Sequence, residues 1–185
     1  MSEHVCPWWL GYFLASPLRR LAQKPEELIA PYVREGMTIL EPGPGMGFFT
    51  LPMSRIVGPS GRVIAIDIQP KMLASLRRRA TKAGTFERIE TRLTQPGSLG
   101  IGDLKGRVDF VLVFAVVHEL PSPEAFFVEA AEAMKAGALL LFAEPAGHVN
   151  AAKFQSEIKA ALDAGLELTQ QPAIRRSLAA VLRKP

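Results

Sequence analysis

The sequence has one cysteine among 185 residues and no long hydrophobic run. The single thiol of Cys6 cannot form an internal disulfide or a thiolate metal cage. The longest apolar stretch, residues 110–117, is far shorter than the ~18 residues that span a membrane. The first four residues also lack the basic start of a secretory signal. These absences predict a cytoplasmic protein, and a composition of 48% hydrophobic and 22% charged residues is typical of one globular domain.

The excess of basic residues is small and is concentrated in one predicted helix. The chain has 22 Lys and Arg residues against 18 Asp and Glu residues, a formal charge of +4. The densest basic cluster lies late in a segment of helical period, where cations complement the helix dipole. Its members are Arg77, Arg78, Arg79 and Lys82. No aromatic residues that could stack on bases are interleaved with it, so we interpret it as a solvated helix face and predict no nucleic-acid partner.

From Gly36 onward, short aliphatic runs alternate with longer segments of helical period. The strand-like runs are 38–41, 62–67, 88–93, 108–114 and 138–143. Helices are predicted at 71–83, from 122 to a stop at Gly137, and at about 151–164. Two further strand-like runs, 166–170 and 177–183, are joined by too few residues for a crossover helix and are expected to be antiparallel. The alternation predicts a doubly wound α/β sheet with helices on both faces.

Residues 1–34 precede this alternation and are predicted to form a helical appendage to a domain that spans 35–185. One helical segment is expected to start near Pro7 and another at Pro25. Segment 7–14 is the most aromatic part of the chain, with Trp8, Trp9, Tyr12 and Phe13. We interpret it as a lid over a ligand site. A packed terminal helix and weak docking to a membrane surface are the alternatives.

A glycine-rich loop follows the first predicted strand and opens a helical stretch. Its glycines are Gly43, Gly45 and Gly47. In an open α/β sheet ligands bind in this crevice, and glycine lets the backbone approach the ligand closely. Asp67 ends the next predicted strand, 20 residues after Gly47, a spacing at which a carboxylate can bind a ribose diol. Together these features predict an adenosine-type ligand, whereas the loop alone could be a turn without a ligand.

The charge of this loop discriminates between adenosine-type ligands. Residues 41–50 contain no Lys or Arg and begin with Glu41. A pyrophosphate gains little there, and Phe48 stands where a dinucleotide-binding loop has a glycine. The Gly-Lys-Ser/Thr sequence of a P-loop is also missing. A ligand that carries an ammonium and a sulfonium is favoured by Glu41, which indicates S-adenosylmethionine.

The sequence resembles the class I S-adenosylmethionine-dependent methyltransferases. Residues 41–47 resemble the first motif of that family, and residues 63–67 resemble the second. Residues 108–114 resemble the fourth strand, whose end lies beside the methyl group, and residues 134–142 resemble the helix-turn-strand that follows. The resemblance covers about 35–184. It implies a Rossmann-like, seven-stranded, mostly parallel sheet in which the last strand is antiparallel and lies between the fifth and sixth.

The resemblance also implies the reaction and the cofactor contacts. The reaction is methyl transfer from S-adenosylmethionine to a small acceptor, which could be apolar, and the chain is most similar to small-molecule members related to quinone-biosynthesis enzymes. Ile68 is expected on the adenine face, and Phe114 or Ala115 near the methionine portion. Segment 93–98 lacks the acidic residue that many members place against the adenine amine, so Thr94, Gln95 or Ser98 are candidates for that contact. The implied cofactor residues are Glu41, Gly43, Gly45, Gly47, Asp67, Ile68, Thr94, Phe114 and Ala115.

Four residues that follow the fourth and fifth strands are candidates for the acceptor side. They are His118, Glu119, Glu144 and His148. Because histidine titrates near neutral pH, His118 is predicted to be a general base, with Glu119 as a second catalytic candidate. In the alternative interpretation, His118 binds loop carbonyls, the glutamates bind backbone, and His148 caps the next helix.

The sequence also bears on metal binding and on alternative functions. No ligand pair has a recognised metal spacing, so no metal is predicted. The lone Cys6 argues against the multi-thiol arsenic-methylating members of the family. A non-catalytic S-adenosylmethionine-binding module and, behind it, a dinucleotide-dependent oxidoreductase are the alternative functions. The acceptor atom and the oligomeric state stay open.

Overall fold

A computed structural model describes residues 24–185. The described residues up to Thr94 form one compact unit, and Gln95–Pro185 form a second. The helical segment expected near Pro7 and the aromatic segment 7–14 lie outside the described residues. The predicted division into an appendage, 1–34, and a domain, 35–185, stays a prediction.

The first unit contains three parallel strands in the order β3-β2-β1. The strands are β1 (Thr38–Pro42), β2 (Arg62–Asp67) and β3 (Ile89–Leu93). Its described helices are α1 (Pro25–Ile29), α2 (Thr50–Ile56) and α3 (Pro70–Lys82). Glu41 pairs in register with Ala65, and Asp67 with Leu93, so the carboxyl ends of β1 and β2 share one edge. This edge carries the glycine loop.

The sequence explains why α3 packs against this sheet. Pro70 occupies the first turn, where its missing N–H costs nothing, and the helix is followed by Gly84 in a left-handed conformation, φ +67°. Leu76 and Ala80 are buried one turn apart. They pack with Leu51 of α2 and with Ala65 and Ile89 of the sheet. The helix thereby presents one face to the strands that lead to the loop.

The second unit contains four strands in the order β4-β5-β7-β6. They are β4 (Val108–Phe114), β5 (Met134–Pro145), β6 (Glu167–Gln170) and β7 (Ser177–Arg183). Strand β4 is parallel to β5, while β7 is antiparallel to both β5 and β6. The expected antiparallel last strand between the fifth and sixth is confirmed, and so is the mostly parallel, seven-stranded α/β class.

Helices α4 (Pro123–Ala133) and α5 (Ala151–Asp163) complete the second unit. Three aromatic rings join its core. The ring of Phe142 in β5 lies 5.6 Å from that of Phe127 in an edge-on contact and 4.9 Å from that of Phe154 in a stacked one. Both helices are therefore anchored on β5, the strand that carries Glu144. Along 24–185, no helix is long and apolar enough to cross a membrane.

Several predicted boundaries differ from the observed ones, and the largest difference lies between helix α4 and strand β5, which was predicted at 138–143 and spans Met134–Pro145. Helix α4 ends at Ala133 and not at Gly137, because Met134 already has an extended backbone, ψ 142°, and pairs with Val108 of β4. Gly137 instead adopts φ +76° and donates its N–H to the carbonyl of Lys184 at 2.8 Å. Strand β3 begins one residue later than expected, since Arg88 belongs to a 3₁₀ turn. At 134–137 strand pairing overrides the local helical preference.

Candidate active site

Glu41 is a buried carboxyl at the end of β1, only 3% exposed. The hydroxyl of Thr50, the first residue of α2, donates a hydrogen bond to Glu41 Oε2 at 2.6 Å. Burial raises the pKa of Glu41 to about 8, against the effect of the Thr50 hydrogen bond and with a further rise from the negative charge of Asp67. The sequence predicts an anionic Glu41, whereas this pKa makes the carboxyl mostly neutral at pH 7. A cation placed against it would favour the ionised form.

The three glycines of the loop do different things, although all adopt the left-handed conformation, with φ of +65°, +53° and +88°. Gly43 ties the loop to β2, because its N–H donates to the carbonyl of Ile66 at 2.8 Å. A Cβ added at Gly45 would meet no atom of residues 24–185 within 4 Å, so this part of the chain leaves its backbone open. A Cβ at Gly47 would lie 2.6 Å from Leu76 Cδ1. The loop is therefore packed closely on α3 at one glycine and open to a ligand at another.

Helix α3 also holds the loop through Arg79. Its Nη1 donates to the carbonyl of Met46 at 2.5 Å, and its side chain is partly buried. The prediction of a wholly solvated basic face is therefore wrong for Arg79, whereas Arg78 and Lys82 are exposed. The spacing in the sequence indicates this partial burial. Arg79 lies three residues after the buried Leu76 and so on a neighbouring part of the helix surface.

At the end of β2, Asp67 Oδ1 accepts a hydrogen bond from the backbone N–H of Gln69 at 2.8 Å. The carbonyl of Asp67 accepts from the N–H of Thr94 at 3.1 Å, which places these two predicted cofactor residues side by side. Ile68 beside them is partly exposed. Ser98, another candidate for the adenine contact, instead donates its hydroxyl to Glu129 in the second unit at 3.3 Å.

In the second unit, Glu144 at the end of β5 has no exposed surface. Its Oε1 accepts backbone N–H groups of Val117 at 2.8 Å and Val116 at 3.2 Å. Its Oε2 is hydrogen-bonded to Nδ1 of His118. This network assigns the ring proton to Nδ1 and leaves Nε2 as an acceptor. The hydrogen bond with Glu144 raises the pKa of His118, against the effect of burial.

The chain reaches this geometry through a sharp turn after β4. The N–H of Ala115 donates to the carbonyl of Ala143 at 2.8 Å, and Ala115 adopts φ +60°, which is uncommon for a residue other than glycine. The turn brings the next two N–H groups to Glu144. Phe114, before the turn, is partly exposed and pairs with Ala143.

The structure brings the four acceptor-side candidates together. Nε2 of His118 lies 3.8 Å from Glu119 Oε1, and the rings of His118 and His148 are 5.9 Å apart. The alternative interpretation, in which these residues have structural roles, is correct for Glu144, which accepts backbone N–H groups. It is wrong for His148, because Asn150 caps α5 by accepting the N–H of Lys153 at 2.9 Å.

One buried acid in the same unit was missed. Glu157 is 1% exposed and lies on the apolar stripe of α5 with Phe154, Ile158 and Ala161. A glutamate at a position of the hydrophobic period is the signal that could have identified it. Within residues 24–185, no group of three or more His, Cys, Asp or Glu side chains is placed to hold a metal ion.

Comparison with known proteins identifies the family. Residues 40–142 match the family model described as a methyltransferase domain, and the chain belongs to this family. This is a family of class I S-adenosylmethionine-dependent methyltransferases, and S-adenosylmethionine is the methyl donor of that class. The open backbone at Gly45, the buried Glu41 and the carboxylate of Asp67 at the strand end fit such a cofactor.

Curated relatives differ in their acceptors. The chain is 31% identical over 102 residues to the arsenite methyltransferase of Halobacterium salinarum, covering 55% of this chain and 25% of that protein. It is 31% identical over 98 residues to the protein-L-isoaspartate O-methyltransferase of Korarchaeum cryptofilum, covering 49% and 43%. The chain therefore spans less than half the length of these two relatives.

A solved structure of a SAM dependent methyltransferase from Aquifex aeolicus matches the whole fold. Its TM-score is 0.85 at 24% identity, covering 97% of this chain and 98% of that one. At this identity the match shows the fold alone.

The hydrogen bond from Arg79 to the loop leads to a first prediction. Replacing Arg79 with methionine keeps much of the apolar stem but removes the donor to the Met46 carbonyl. We expect the affinity for S-adenosylhomocysteine to fall by roughly three- to tenfold, because a charge-assisted hydrogen bond that orders the loop is lost. Titration calorimetry measures the change. Arg78→Met, on an exposed position of the same helix, should bind like the wild type. Unchanged affinity of the Arg79 variant would contradict a role in ordering the loop.

Proposed function

We propose that this protein transfers the methyl group of S-adenosylmethionine to a small acceptor molecule, with His118 as the general base. The observation that carries this proposal is the pairing of His118 with the fully buried Glu144. Glu144 holds the ring through Nδ1, so Nε2 is the nitrogen that can accept a proton. A residue that served only to satisfy loop carbonyls would not need a fully buried carboxylate behind it.

The donor is proposed to bind through the cofactor residues that the sequence predicts. Asp67 supplies a carboxylate for the ribose hydroxyls, and Gly45 supplies open backbone beside the ligand. Glu41 supplies a carboxyl that ionises when a cation is placed against it. Ile68 and Thr94 are proposed to line the adenine, and Phe114 and Ala115 the methionine portion, as the family resemblance implies.

Bound S-adenosylmethionine supplies a methyl group that is already activated by its sulfonium. The protein therefore has to orient the acceptor, exclude water and receive the proton that the acceptor loses. His118 Nε2 takes this proton, and the resulting imidazolium is stabilised by Glu144. Glu119, 3.8 Å from Nε2, is proposed to orient the acceptor or the ring.

A small-molecule acceptor rather than a nucleic acid is supported by the basic cluster, which has no aromatic residues interleaved to stack on bases. Glu119 and Glu144, the two carboxyl groups beside His118, make an anionic acceptor less favourable than a neutral one. A hydroxyl or an acidic carbon, as in quinone-like molecules, is the acceptor chemistry that a histidine base serves best.

The proposal is tested by calorimetry with S-adenosylmethionine, S-adenosylhomocysteine and NAD, followed by a screen of small acceptors with a labelled methyl donor. We expect both sulfur ligands to bind and NAD not to bind. If S-adenosylmethionine binds but no acceptor is methylated, and if adding acceptors does not increase its consumption, the non-catalytic module is favoured. Tighter binding of NAD would favour the oxidoreductase.

The pKa of Glu41 predicts that donor binding releases a proton. At pH 7 a carboxyl with a pKa of about 8 is mostly protonated, and a bound ammonium or sulfonium lowers that pKa. We expect about one proton to be released per ligand bound at pH 7, and the release should decline above pH 8, where Glu41 is already ionised. Calorimetry in buffers of different ionisation enthalpy counts these protons. Glu41→Gln should release almost none, and an equal release by both proteins would assign the proton to another group.

A further inference from the structure

An open cavity lies in the second unit, between the first turns of α5 and the residues that lead into β7. Its volume is about 210 Å³. The residues that line it come from both sides and include Ala151, Phe154, Gln155, Gln171, Ser177 and Leu178. An apolar cavity of about 150 Å³ is large enough to hold benzene. The cavity on α5 therefore has room for a six-membered ring with a small substituent.

The lining of this cavity is apolar with a few hydrogen-bonding groups. Phe154 and Leu178 are apolar, whereas Gln155 and Gln171 carry amide groups and Ser177 carries a hydroxyl. Both glutamines are exposed, so their amide groups are accessible to a ligand. Among the described residues that line the cavity, none is charged. Such a lining suits an uncharged ligand that has an apolar body and a polar substituent.

Strand pairing joins this cavity to the proposed base. Leu178 lies directly opposite Glu144 in the antiparallel pair of β5 and β7. Side chains of directly opposite residues share one face of a sheet, with Cβ atoms about 5 Å apart. Glu144 is hydrogen-bonded to Nδ1 of His118. A residue that lines the cavity is therefore the immediate neighbour of the carboxylate that holds the base.

Aromatic stacking places α5 on the same face of these strands. Phe142 precedes Glu144 by two residues on β5, so the two side chains project from one face. The ring of Phe142 stacks on that of Phe154, which lines the cavity, at 4.9 Å. The cavity and the Glu144 carboxylate thus lie on one face of β5 and β7, at the end of β5 that leads to His148.

We propose that this cavity binds the apolar part of the methyl acceptor, an uncharged six-membered ring with a hydrogen-bonding substituent, and that Ala151 and Gln155 help to determine acceptor specificity. The inference rests on the proposed function, because it places the ring beside the base that takes the proton of the acceptor. Binding of an uncharged ring to the cavity can be measured without the methyl donor, and this separates the two proposals.

Phenol is the probe, since it is an uncharged ring with one hydroxyl. It is titrated into the full chain labelled with nitrogen-15, and nuclear magnetic resonance follows the side-chain amide signals of Gln155 and Gln171. The Gln155→Leu and Gln171→Leu variants identify these signals. We expect both signals to shift saturably, with a dissociation constant in the millimolar range, because so small a ligand buries little surface.

Ala151→Phe is the informative substitution, because the added ring competes for the space of the cavity. Ala152→Phe is the matched control, since Ala152 is the next exposed residue of the same turn and does not line the cavity. We expect Ala151→Phe to weaken phenol binding by at least about fivefold and to raise the KM of a monocyclic acceptor by at least about tenfold, with donor affinity unchanged. The control should change each value by less than about twofold.

The melting temperatures of the two phenylalanine variants show whether both are folded. If Ala151→Phe does not fold, Gln155→Ala takes its place, because it changes another exposed lining position and is expected to weaken phenol binding by about threefold through the loss of a hydrogen bond.

Absence of saturable shifts at Gln155 and Gln171 overturns the proposal, and so does an equal effect of the two phenylalanine variants on phenol binding. An acceptor KM that is unchanged in Ala151→Phe overturns the assignment of the cavity to the acceptor. If phenol binding behaves as expected but no acceptor is ever methylated, the site for an uncharged ring stands and the proposed function fails.

Discussion

Replacement of His118 with alanine is expected to lower the rate of methyl transfer by ~10²-fold, because the acceptor loses the base that takes its proton. The affinity for S-adenosylhomocysteine should stay within about twofold, since the residues proposed to bind the donor are unchanged. In the wild type the rate should rise with pH through the pKa of His118, which its hydrogen bond with Glu144 holds above the ordinary value of histidine. The measurement is turnover of the acceptor that the screen identifies, across pH, with calorimetry for the donor.

His148→Ala is the matched control for this experiment. His148 is exposed, and its ring lies 5.9 Å from that of His118. We expect its replacement to change turnover by less than about tenfold, since no buried carboxylate hydrogen bond holds it as Glu144 holds His118. If the two alanine variants are equally active, or if His118→Ala turns over like the wild type, His118 is a structural residue.

Replacement of Asp67 with alanine is expected to weaken S-adenosylhomocysteine binding by roughly ten- to hundredfold. The carboxylate is held at the end of β2 by the N–H of Gln69, and charge-assisted hydrogen bonds to two ribose hydroxyls contribute ~1.5–3 kcal/mol. Calorimetry of the variant and the wild type measures the loss. Glu87→Ala, which removes an exposed acid from the same unit, should leave the affinity unchanged. Equal binding by the Asp67 variant and the wild type would remove Asp67 from the cofactor site.

Local sequence patterns were sufficient for most of the fold. Strands β2, β4 and β7 run over the predicted residues, because each is a short aliphatic run bounded by turn residues. The end of α4 was not predictable in the same way. Whether 134–137 continues a helix or begins a strand depends on the pairing of Met134 with Val108, a partner 26 residues away.

The residues predicted for the donor side lie close to one another along the chain, and their placement is largely local. The three glycines directly follow β1, and Asp67 ends β2. Their spacing along the chain therefore largely fixes their relative positions in the fold. The support from Arg79 and the hydrogen bond between Thr50 and Glu41 were not predicted. They depend on how α2 and α3 pack against the loop.

The sequence by itself thus determined the class of fold, the type of cofactor and a short set of candidate catalytic residues, because these follow from periodicity, glycine positions and spacing within the chain. The tertiary structure decided how those residues are coupled. Residues 118 and 144 come from a turn and a strand, and only folding places the buried carboxylate of Glu144 against the ring of His118. The pKa of a side chain depends on burial and on nearby charges, neither of which is a local property of the sequence.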